Sequence, residues 1–243
     1  MIARIGMTFG LLFVLAGGAF SQWAEYPTGP IDSKTLRSQS KAESLYDRGD
    51  FKRALFIYEK ELAITGDKYA QYMTGYMYLM GQGAPSDAVL ASAWYRLAAE
   101  RKVEEFIAVR DQLMRTMNDE QRARSDELYI GLRQELSDVV LVMNMMLGDL
   151  KRLNASTTGS RLGGSSSPVM IIDPQTGIPI SAAHYESRIR DIAQTRLDFV
   201  TTRLDIDELD ADLSREQIDE LWERINDYLS VVDDDGDVFV DSR

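Results

Sequence analysis

The sequence predicts an all-α protein in which antiparallel helical hairpins are followed by a long-helix, coiled-coil-like C-terminal region with one small β-hairpin. Three observations lead to this prediction. Apolar residues recur at helical spacing from about residue 34 onward. Matching residues return after 34 to 37 positions, a period typical of stacked helical hairpins. Further along, seven apolar residues follow alternating steps of four and three, as in a coiled-coil seam.

The first 21 residues have the pattern of a signal peptide. Arg4 is the only charge before an apolar run from Ile5 to Phe20, and the small residues Ala19 and Ser21 occupy the positions that a signal peptidase reads. The alternative is a membrane anchor, but a spanning helix needs roughly 20 apolar residues and this run is shorter. We therefore expect cleavage near Ser21, no membrane span in the mature form, and a location in the periplasm or outside the cell.

Charge is unevenly distributed along the chain. Residues 22–204 include 24 acidic and 23 basic residues, whereas residues 205–243 include 15 acidic and 3 basic residues. An acidic segment repels nucleic acids and anionic lipid head groups, and no basic patch is set off from nearby acids. The sequence therefore argues against nucleic-acid binding. It also contains no cysteine, which excludes disulfides and thiol chemistry.

Two helical hairpins are expected after an extended arm at residues 22–33, which contains two prolines. In the first hairpin, an apolar helical face is interrupted at Gly49 and Asp50 and then resumes. The second hairpin has helices over about 67–80 and 87–101, separated by the break GQGAPS. Each hairpin therefore consists of two short helices joined by a glycine-containing turn.

The two hairpins are internal repeats of one another. Two pairs of residues recur after 37 positions and one glycine pair recurs after 34, so the turn of the second hairpin contains a three-residue insertion. Such a period is typical of solenoid repeats. The recurring pairs are Ala54 with Ala91, Tyr58 with Tyr95, and Gly49 with Gly83.

The second hairpin contains small, aromatic and acidic residues at fixed spacing. They are Ala70, Gly75, Tyr78, Gly81, Gly83, Pro85, Asp87, Ala91, Trp94, Tyr95, Ala98 and Ala99. This pattern resembles the Sel-one-like repeat (SLR), a relative of the tetratricopeptide repeat (TPR). It departs from the family at Thr74, Ala84 and Lys102, where leucine, valine and a closing glycine are usual. The first hairpin, with GDFKRAL across its turn, is more similar to the plain TPR form.

The resemblance covers about residues 34–102 and implies a scaffold that binds protein partners without catalysis. The matching residues are expected to pack the hairpin. Gly75 and the alanines let the helices approach closely, Gly81 and Gly83 turn the chain, and Trp94 fills space beside Tyr95. A serine or aspartate at the start of the second helix caps it.

Three tyrosines, Tyr69, Tyr72 and Tyr76, form a stripe on the first helix of the second hairpin, at steps of three and four. Tyrosine offers a large contact area with a polar tip, which suits a protein interface. We predict that these residues bind a protein partner in the cell envelope. The alternative is that the rings pack on the first hairpin or on the arm that contains Trp23.

A helix over about 103–116 completes the TPR/SLR-like region, which spans residues 34–117. A long heptad helix is expected over 118–153, starting with Asn118 and Gln121 as a capping box. Its apolar seam is predicted to pair either with a later helix of the same chain or with a second copy, which would cause self-association. The seam residues are Leu132, Leu136, Val139, Met143, Met146, Leu150 and Leu153.

The rest of the chain divides into three parts. Residues 154–181 form a Gly/Ser-rich linker and a β-hairpin in PVMIIDPQTGIPI. Helices are expected over 182–232, and the second of them begins at a capping box of Ser214 and Gln217. Residues 233–243 form an acidic tail. The expected apolar faces contain Ile189, Ile192 and Phe199 in one helix, and Ile218, Leu221, Trp222, Ile225 and Leu229 in the other.

The residue patterns provide little support for catalysis or metal binding. His184 is the only histidine, and no nucleophile motif accompanies it. The DDDGD stretch does not fit a calcium loop, because its first and twelfth positions fall on Val231 and Ser242. Weak cation binding by the acidic region stays open, and we expect no cofactor. The sequence favours a non-catalytic periplasmic adaptor; the alternative is an envelope hydrolase or polysaccharide-processing factor that uses acidic residues.

Overall fold

The computed structural model describes residues 33–158, 170–172 and 177–231. These residues are mostly helical with one two-stranded antiparallel sheet, which confirms the predicted fold class. No helix within these ranges is both long enough and apolar enough to cross a lipid bilayer. The predicted signal peptide, nearly all of the arm, most of the linker and the acidic tail lie outside the described residues.

The helices follow one another as hairpins joined by short connections. A π-helical turn (Tyr58–Leu62) and a 3-10 turn (Ala63–Thr65) extend the second helix, and another 3-10 turn (Ala99–Arg101) extends the fourth. The elements in chain order are α1 (Ser33–Asp47), α2 (Phe51–Ile57), α3 (Lys68–Met80), α4 (Ala88–Ala98), α5 (Glu104–Arg115), α6 (Asp119–Leu136), α7 (Asp138–Thr158), β1 (Met170–Ile172), β2 (Pro179–Ser181), α8 (Ala182–Leu204) and α9 (Arg215–Ser230).

Two glycines determine how closely the first four helices approach. At Gly75, where α3 meets α4, an added Cβ would lie 3.0 Å from the Tyr95 ring and 3.1 Å from the Ala91 carbonyl oxygen. At Gly83, whose φ is +89°, a Cβ would lie 2.5 Å from the Phe51 carbonyl oxygen. Neither position accepts a side chain without displacement of its neighbours, so both hairpins depend on glycine for their contact.

Helix α4 lies at the centre of the first six helices. It packs against α3, α5 and α6. Its Ala93 and Leu97 are fully buried in a cluster that includes Tyr129 and Leu136 of α6. The helix expected over 103–116 is present as α5. Helix α6 therefore shares a core with α4, and we call helices α1 to α6 the repeat region after the repeats predicted within them.

Two predicted capping boxes are present, one at α6 and one at α9. In the first, the Asn118 side chain accepts a hydrogen bond from the Gln121 backbone N–H, and the Gln121 side chain accepts one from the Asn118 backbone. Ser214 and Gln217 exchange the same two bonds. Each box satisfies backbone donors that have no partner inside the helix.

The long helix predicted over 118–153 is in fact two helices. Ser137 adopts extended backbone angles, with φ of −65° and ψ of 153°, and separates α6 from α7. The break is stabilised because the Glu100 carboxylate accepts hydrogen bonds from the Asp138 backbone N–H at 3.1 and 3.2 Å. The Asp138 side chain binds Arg101 at 2.7 Å. The heptad spacing continues through Ser137, so periodicity alone could not reveal the break.

The break divides the predicted seam between two cores. Leu132 and Leu136 pack in the cluster around α4, whereas Val139, Met143 and Met146 are buried against α8 and α9. The pairing of α7 with α8 is the most extensive helix contact in the described part of the chain. The seam is thus covered by the same chain, and self-association through it has no support.

Helices α7, α8 and α9 form a second core that is entirely aliphatic at its centre. The apolar face predicted for the last helix points into it, with Leu221, Ile225 and Leu229 at most 2% exposed. The fully buried members are Val139, Val140, Val142, Met143, Met146, Ala193, Leu197, Val200, Ala211, Leu221, Ile225 and Leu229.

The small β-hairpin lies beside the start of α8. Met170 and Ile172 on one of its faces are 54% and 62% exposed. The expected turn at residues 173–176 lies outside the described residues. The register pairs Met170 with Ser181, Ile171 with Ile180, and Ile172 with Pro179.

Candidate binding surface

Tyrosine rings from α1 and α3 form a connected surface, which we call the tyrosine face (Tyr46, Tyr69, Tyr72 and Tyr76). All four rings are half-buried and pack on the core of the first hairpin. The Tyr46 hydroxyl donates a hydrogen bond to Gln82 Oε1 at 3.0 Å and also neighbours the Tyr76 hydroxyl. Steps of three and four place the other three rings on one side of α3. The predicted stripe is therefore enlarged by one ring from the first hairpin.

Tyr72 joins three helices through ring contacts. Phe106 of α5 stacks on it with ring centroids 5.0 Å apart and an interplanar angle of 18°. Tyr95 of α4 packs at 5.3 Å from the same ring. Burial raises the pKa of the Tyr72 phenol. These contacts hold the centre of the tyrosine face in one orientation.

Tyr69 packs toward the first hairpin. Its ring lies edge-on to Tyr58, with centroids 6.4 Å apart. Burial, followed by the nearby charge of Glu43, raises the pKa of Tyr69 to about 12. This ring therefore makes the packing contact considered as the alternative to partner binding, and it keeps a half-buried surface as well.

Acidic side chains of α1 border the tyrosine face. Glu43 and Asp47 are exposed, lie one helical turn apart, and form no ion pair within the described ranges. After burial and a neighbouring phenol, the charges of these two residues and of Asp67 raise the pKa of Tyr58 further. Asp67 is itself buried and accepts a hydrogen bond from Gln39 at 2.8 Å. The border of the face is therefore negatively charged.

The residues that carry the repeat resemblance lie at the contacts of α3 and α4. Gly81 ends α3 with a φ of +67°, and Asp87 caps α4 by accepting hydrogen bonds from two backbone N–H groups at 3.0 Å. The Tyr78 hydroxyl donates to Glu59 at 3.0 Å. The members that are at most 3% exposed are Ala70, Ala91, Trp94, Tyr95, Ala98 and Ala99.

Lys102 stands where the repeat family has a closing glycine. Its φ is +58°, in the left-handed region. An L-residue pays about 1 kcal/mol or more for this conformation, which glycine adopts freely. Lys102 therefore closes the turn after α4 in a backbone conformation that favours glycine.

Four charged residues form a buried network where α3, the end of α4 and the start of α7 meet. Lys68 Nζ lies 2.7 Å from Glu100 and 3.1 Å from Asp138. Arg101 donates to Asp138 at 2.7 and 2.9 Å, and to the Gly66 carbonyl oxygen. Burial alone would raise the pKa of Asp138, but Lys68 and Arg101 outweigh this effect and hold it below its usual value. The two positive charges of this network balance its two negative charges, so every charge has a partner within it. This arrangement indicates a structural role at the place where the three helices meet.

Arginine and tyrosine side chains alternate in a second cluster between α4, α6 and α9. The Arg96 guanidinium lies 4.2 Å from the Tyr129 ring centroid and binds Asp126 at 2.5 Å. Arg133 lies 5.3 Å from the same ring and 5.2 Å from the Tyr228 ring. Arg133 also donates to three carbonyl oxygens at the end of α9, at 2.8 to 3.4 Å. Because helix ends leave carbonyls without partners, this arginine ties α9 to the repeat region.

A pocket of about 360 Å³ opens between α7, α8 and the segment that leads into α9. Leucine side chains form much of its lining. None of the tyrosines predicted to bind a partner contributes to it. The charged residues around it have mixed sign and are Lys151, Glu186, Arg190 and Asp212.

The sequence raised two further possibilities, catalysis at His184 and cation binding in the acidic region. His184 is exposed in the first turn of α8, where the Ser181 hydroxyl accepts a hydrogen bond from its backbone N–H at 3.2 Å. Within the described ranges, no three histidine, aspartate or glutamate side chains could hold a metal ion. The DDDGD stretch lies outside those ranges.

The sequence did not assign Tyr46 to the tyrosine face, and it did not assign Phe106 to the contact that supports Tyr72. By periodicity, Tyr46 shares the packed face of its helix with Ala42 and Leu45. One signal in the sequence could have placed Tyr46 at the surface. It is a phenol at the edge of an apolar stripe, and its hydroxyl requires water or a partner. For Phe106 the sequence offers no comparable signal.

Comparisons with protein-family models, curated proteins and solved structures found no match for this chain.

Proposed function

We propose that this protein is a non-catalytic adaptor of the cell envelope that binds protein partners through the tyrosine face. The observation that carries the proposal is the row of four half-buried phenol rings across α1 and α3. Tyrosine provides a large contact area with few rotatable bonds, so its burial against a partner costs little entropy. The contacts of Tyr72 with Phe106 and Tyr95 pre-organise the rings, which favours binding further.

The resemblance of residues 34–102 to SLR and TPR hairpins supports the proposal, because such repeats usually serve as interaction scaffolds. Two hairpins offer only a small surface, and a stable complex generally buries about 800 Å² on each partner. A tightly bound partner therefore needs additional contacts. The exposed β-hairpin residues Met170 and Ile172 provide a second apolar surface for this purpose.

A location in the periplasm or outside the cell is part of the same proposal. It is supported by the pattern of the first 21 residues, with cleavage expected near Ser21. The lack of cysteine is compatible with an oxidising compartment, because the chain has no thiol to protect there.

Site-specific photo-crosslinking tests the proposal directly. A photo-reactive phenylalanine analogue replaces Tyr76 in cells that produce the protein, and a matched analogue replaces Tyr185, a half-buried tyrosine of α8. We expect position 76 to crosslink one defined protein and position 185 to crosslink none.

Substitution provides the second half of the test. Tyr76→Ala should abolish capture of the crosslinked protein while changing the melting temperature by only a few degrees, since the ring is half-buried. Tyr185→Ala serves as the control and should leave capture unchanged. Equal capture by Tyr76→Ala and the unsubstituted protein would refute binding through the tyrosine face.

A further inference from the structure

We infer that the partner reaches the tyrosine face with lysine or arginine side chains, so that the face is a cation-recognition surface. This inference rests on the proposed function and specifies the chemistry of the partner. It draws on three features of the described residues: the aromatic rings, the unpaired carboxylates beside them, and an internal example of the same chemistry.

The aromatic rings provide one half of the recognition. The face of a tyrosine ring attracts a cation within about 6 Å, and the attraction grows as water is excluded. Tyr46 and Tyr76 present half-buried rings from two helices. Between them and the core, Tyr72 is held in place by its ring contacts with Phe106 and Tyr95. A long cationic side chain can lay its methylene groups along such rings while its charge remains at the edge.

The carboxylates provide the other half. Glu43 and Asp47 lie on the same helix as Tyr46, are exposed, and have no ion-pair partner among the residues that the structure describes. An unpaired carboxylate beside aromatic rings offers a charge-assisted hydrogen bond to an ammonium or guanidinium group. Besides burial, the charge of Glu43 raises the pKa of Tyr69 and the charge of Asp47 raises the pKa of Tyr46, so both carboxylates lie near rings of the tyrosine face.

The protein already contains this arrangement between two of its own helices. The Arg96 guanidinium lies 4.2 Å from the Tyr129 ring centroid and is paired with Asp126. A phenol ring and a carboxylate thus bind one cation between α4 and α6. At the tyrosine face rings and carboxylates are present, but no lysine or arginine of the described residues forms an ion pair with Glu43 or Asp47.

The segments of the chain outside the described residues offer few cations to this surface, because Arg4 is the only basic residue of residues 1–21 and Arg161 the only one of residues 159–169. Residues 232–243 contain five aspartates and one arginine, so like charges oppose their approach. Residues 22–32 contain no lysine or arginine. A basic segment of another protein is therefore the occupant that fits.

Calorimetric titration of the mature chain with synthetic peptides tests the inference. The probes are a short peptide of alternating lysine and serine, and matched peptides with glutamine or glutamate in place of lysine. We expect binding of the lysine peptide only, with an affinity that falls as salt is raised from about 20 mM to about 300 mM, because salt screens exposed charges.

Two double variants of equal charge change separate a local effect from a general one. Glu43→Gln with Asp47→Asn should weaken binding of the lysine peptide about tenfold. Asp219→Asn with Glu223→Gln removes two exposed acidic charges one turn apart on α9 and should leave the affinity unchanged. Equal binding of the lysine and glutamine peptides, or equal loss in both double variants, would overturn the inference.

The outcomes distinguish this inference from the proposed function. If the protein crosslinked at position 76 is still captured by the Glu43→Gln and Asp47→Asn variant, the adaptor proposal stands and the cation inference falls. If no protein crosslinks but the lysine peptide binds with the expected variant pattern, the adaptor proposal falls and recognition of cations by the tyrosine face stands. A third outcome is that a peptide with the sequence of residues 22–32 binds with an affinity that salt does not change, while the lysine peptide does not bind. This result would identify the chain's own arm as the occupant and overturn the inference.

Discussion

The repeat region from α1 to α6 and the bundle of α7, α8 and α9 pack their interiors with different side chains. The centre of the bundle consists of valine, leucine, isoleucine, methionine and alanine, whereas the first hairpins bury and half-bury many tyrosines. Burial alone satisfies an aliphatic side chain, but a phenol keeps a hydroxyl that requires water or a partner. The repeat region therefore retains ring surface and polar groups at its boundary, which suits recognition, while the bundle completes its own core.

The interface between the two regions has a different composition from either interior. Charged groups dominate that interface: the network of Lys68, Glu100, Arg101 and Asp138, and the contacts of Arg133 with the end of α9. Buried ion pairs add little net stability but make incorrect arrangements costly, because any displacement leaves a charge without its partner. The junction therefore specifies how the two regions meet.

Alkaline titration should reveal the largest difference between the two regions, by unfolding the repeat region at lower pH than the bundle. Burial raises the pKa of three phenols in the repeat region, of Tyr69 and Tyr129 to about 12 and of Tyr95 in the same direction, and in the bundle it raises the pKa of Tyr228. Because the fold favours the neutral phenol, this stability is complete below pH of about 10 and is lost as the pH rises toward the folded pKa values. Methyl NMR provides the measurement: the Met77 signal should reach its unfolded position at lower pH than the Met143 signal. Simultaneous loss of both signals would contradict the distinction.

Asp138→Ala should cause the largest loss among single substitutions. It leaves the two cations Lys68 and Arg101 with the carboxylate of Glu100 alone, and breaking a buried ion pair in this way typically costs about 3–5 kcal/mol. Urea unfolding gives the change in free energy. Asp50→Ala removes an exposed carboxylate paired with Arg53 and should cost less than about 1 kcal/mol.

The pH dependence of the Asp138 contribution has a definite sign. Its folded pKa lies below the unfolded value, so the contribution is complete above pH of about 4 and is lost as the pH falls further. The free energy of unfolding should therefore decrease more steeply below that pH in the unsubstituted protein than in Asp138→Ala. Parallel curves would show that the carboxylate does not act as described.

Met143→Ala should affect stability without affecting recognition. Met143 is fully buried between α7 and α8, and truncation of such a side chain costs about 2–3 kcal/mol through lost burial and a residual cavity. Met145, half-buried on the same helix, is the control and should cost less when truncated. Capture of the partner by folded Met143→Ala should match that of the unsubstituted protein, whereas reduced capture would connect the bundle core to the binding face.

Gly75→Ala gives the smallest of these losses and tests the close approach of α3 and α4. The new Cβ would lie 3.0 Å from the Tyr95 ring, and overpacking of this kind costs about 1–3 kcal/mol. Gly131→Ala in α6 is the matched control, because nothing lies within 4 Å of its Cβ position. There the higher helix propensity of alanine should raise stability by about 0.5–1 kcal/mol, and thermal unfolding measures both changes.

The predictions from sequence succeeded where the signal is local. The capping boxes at Asn118 and Ser214 depend on residues three apart, and both are present. The apolar face of the last helix depends on spacing within one helix, and Leu221 and Ile225 are buried as expected. The tyrosine stripe likewise follows from spacing on α3, although its size did not, because Tyr46 joins it from another hairpin.

By itself, the sequence determined the helical class, the main hairpins, the caps and the composition of the tyrosine stripe, because each depends on neighbours within a few residues. Only the tertiary structure decided the break at Ser137, the division of the seam between two cores and the addition of Tyr46 to the tyrosine face. The physical reason is that these features depend on contacts between distant residues. Glu100 accepts from the Asp138 backbone to stabilise the break, and Tyr46 donates to Gln82 across two hairpins. Periodicity along the chain contains no information about such pairs.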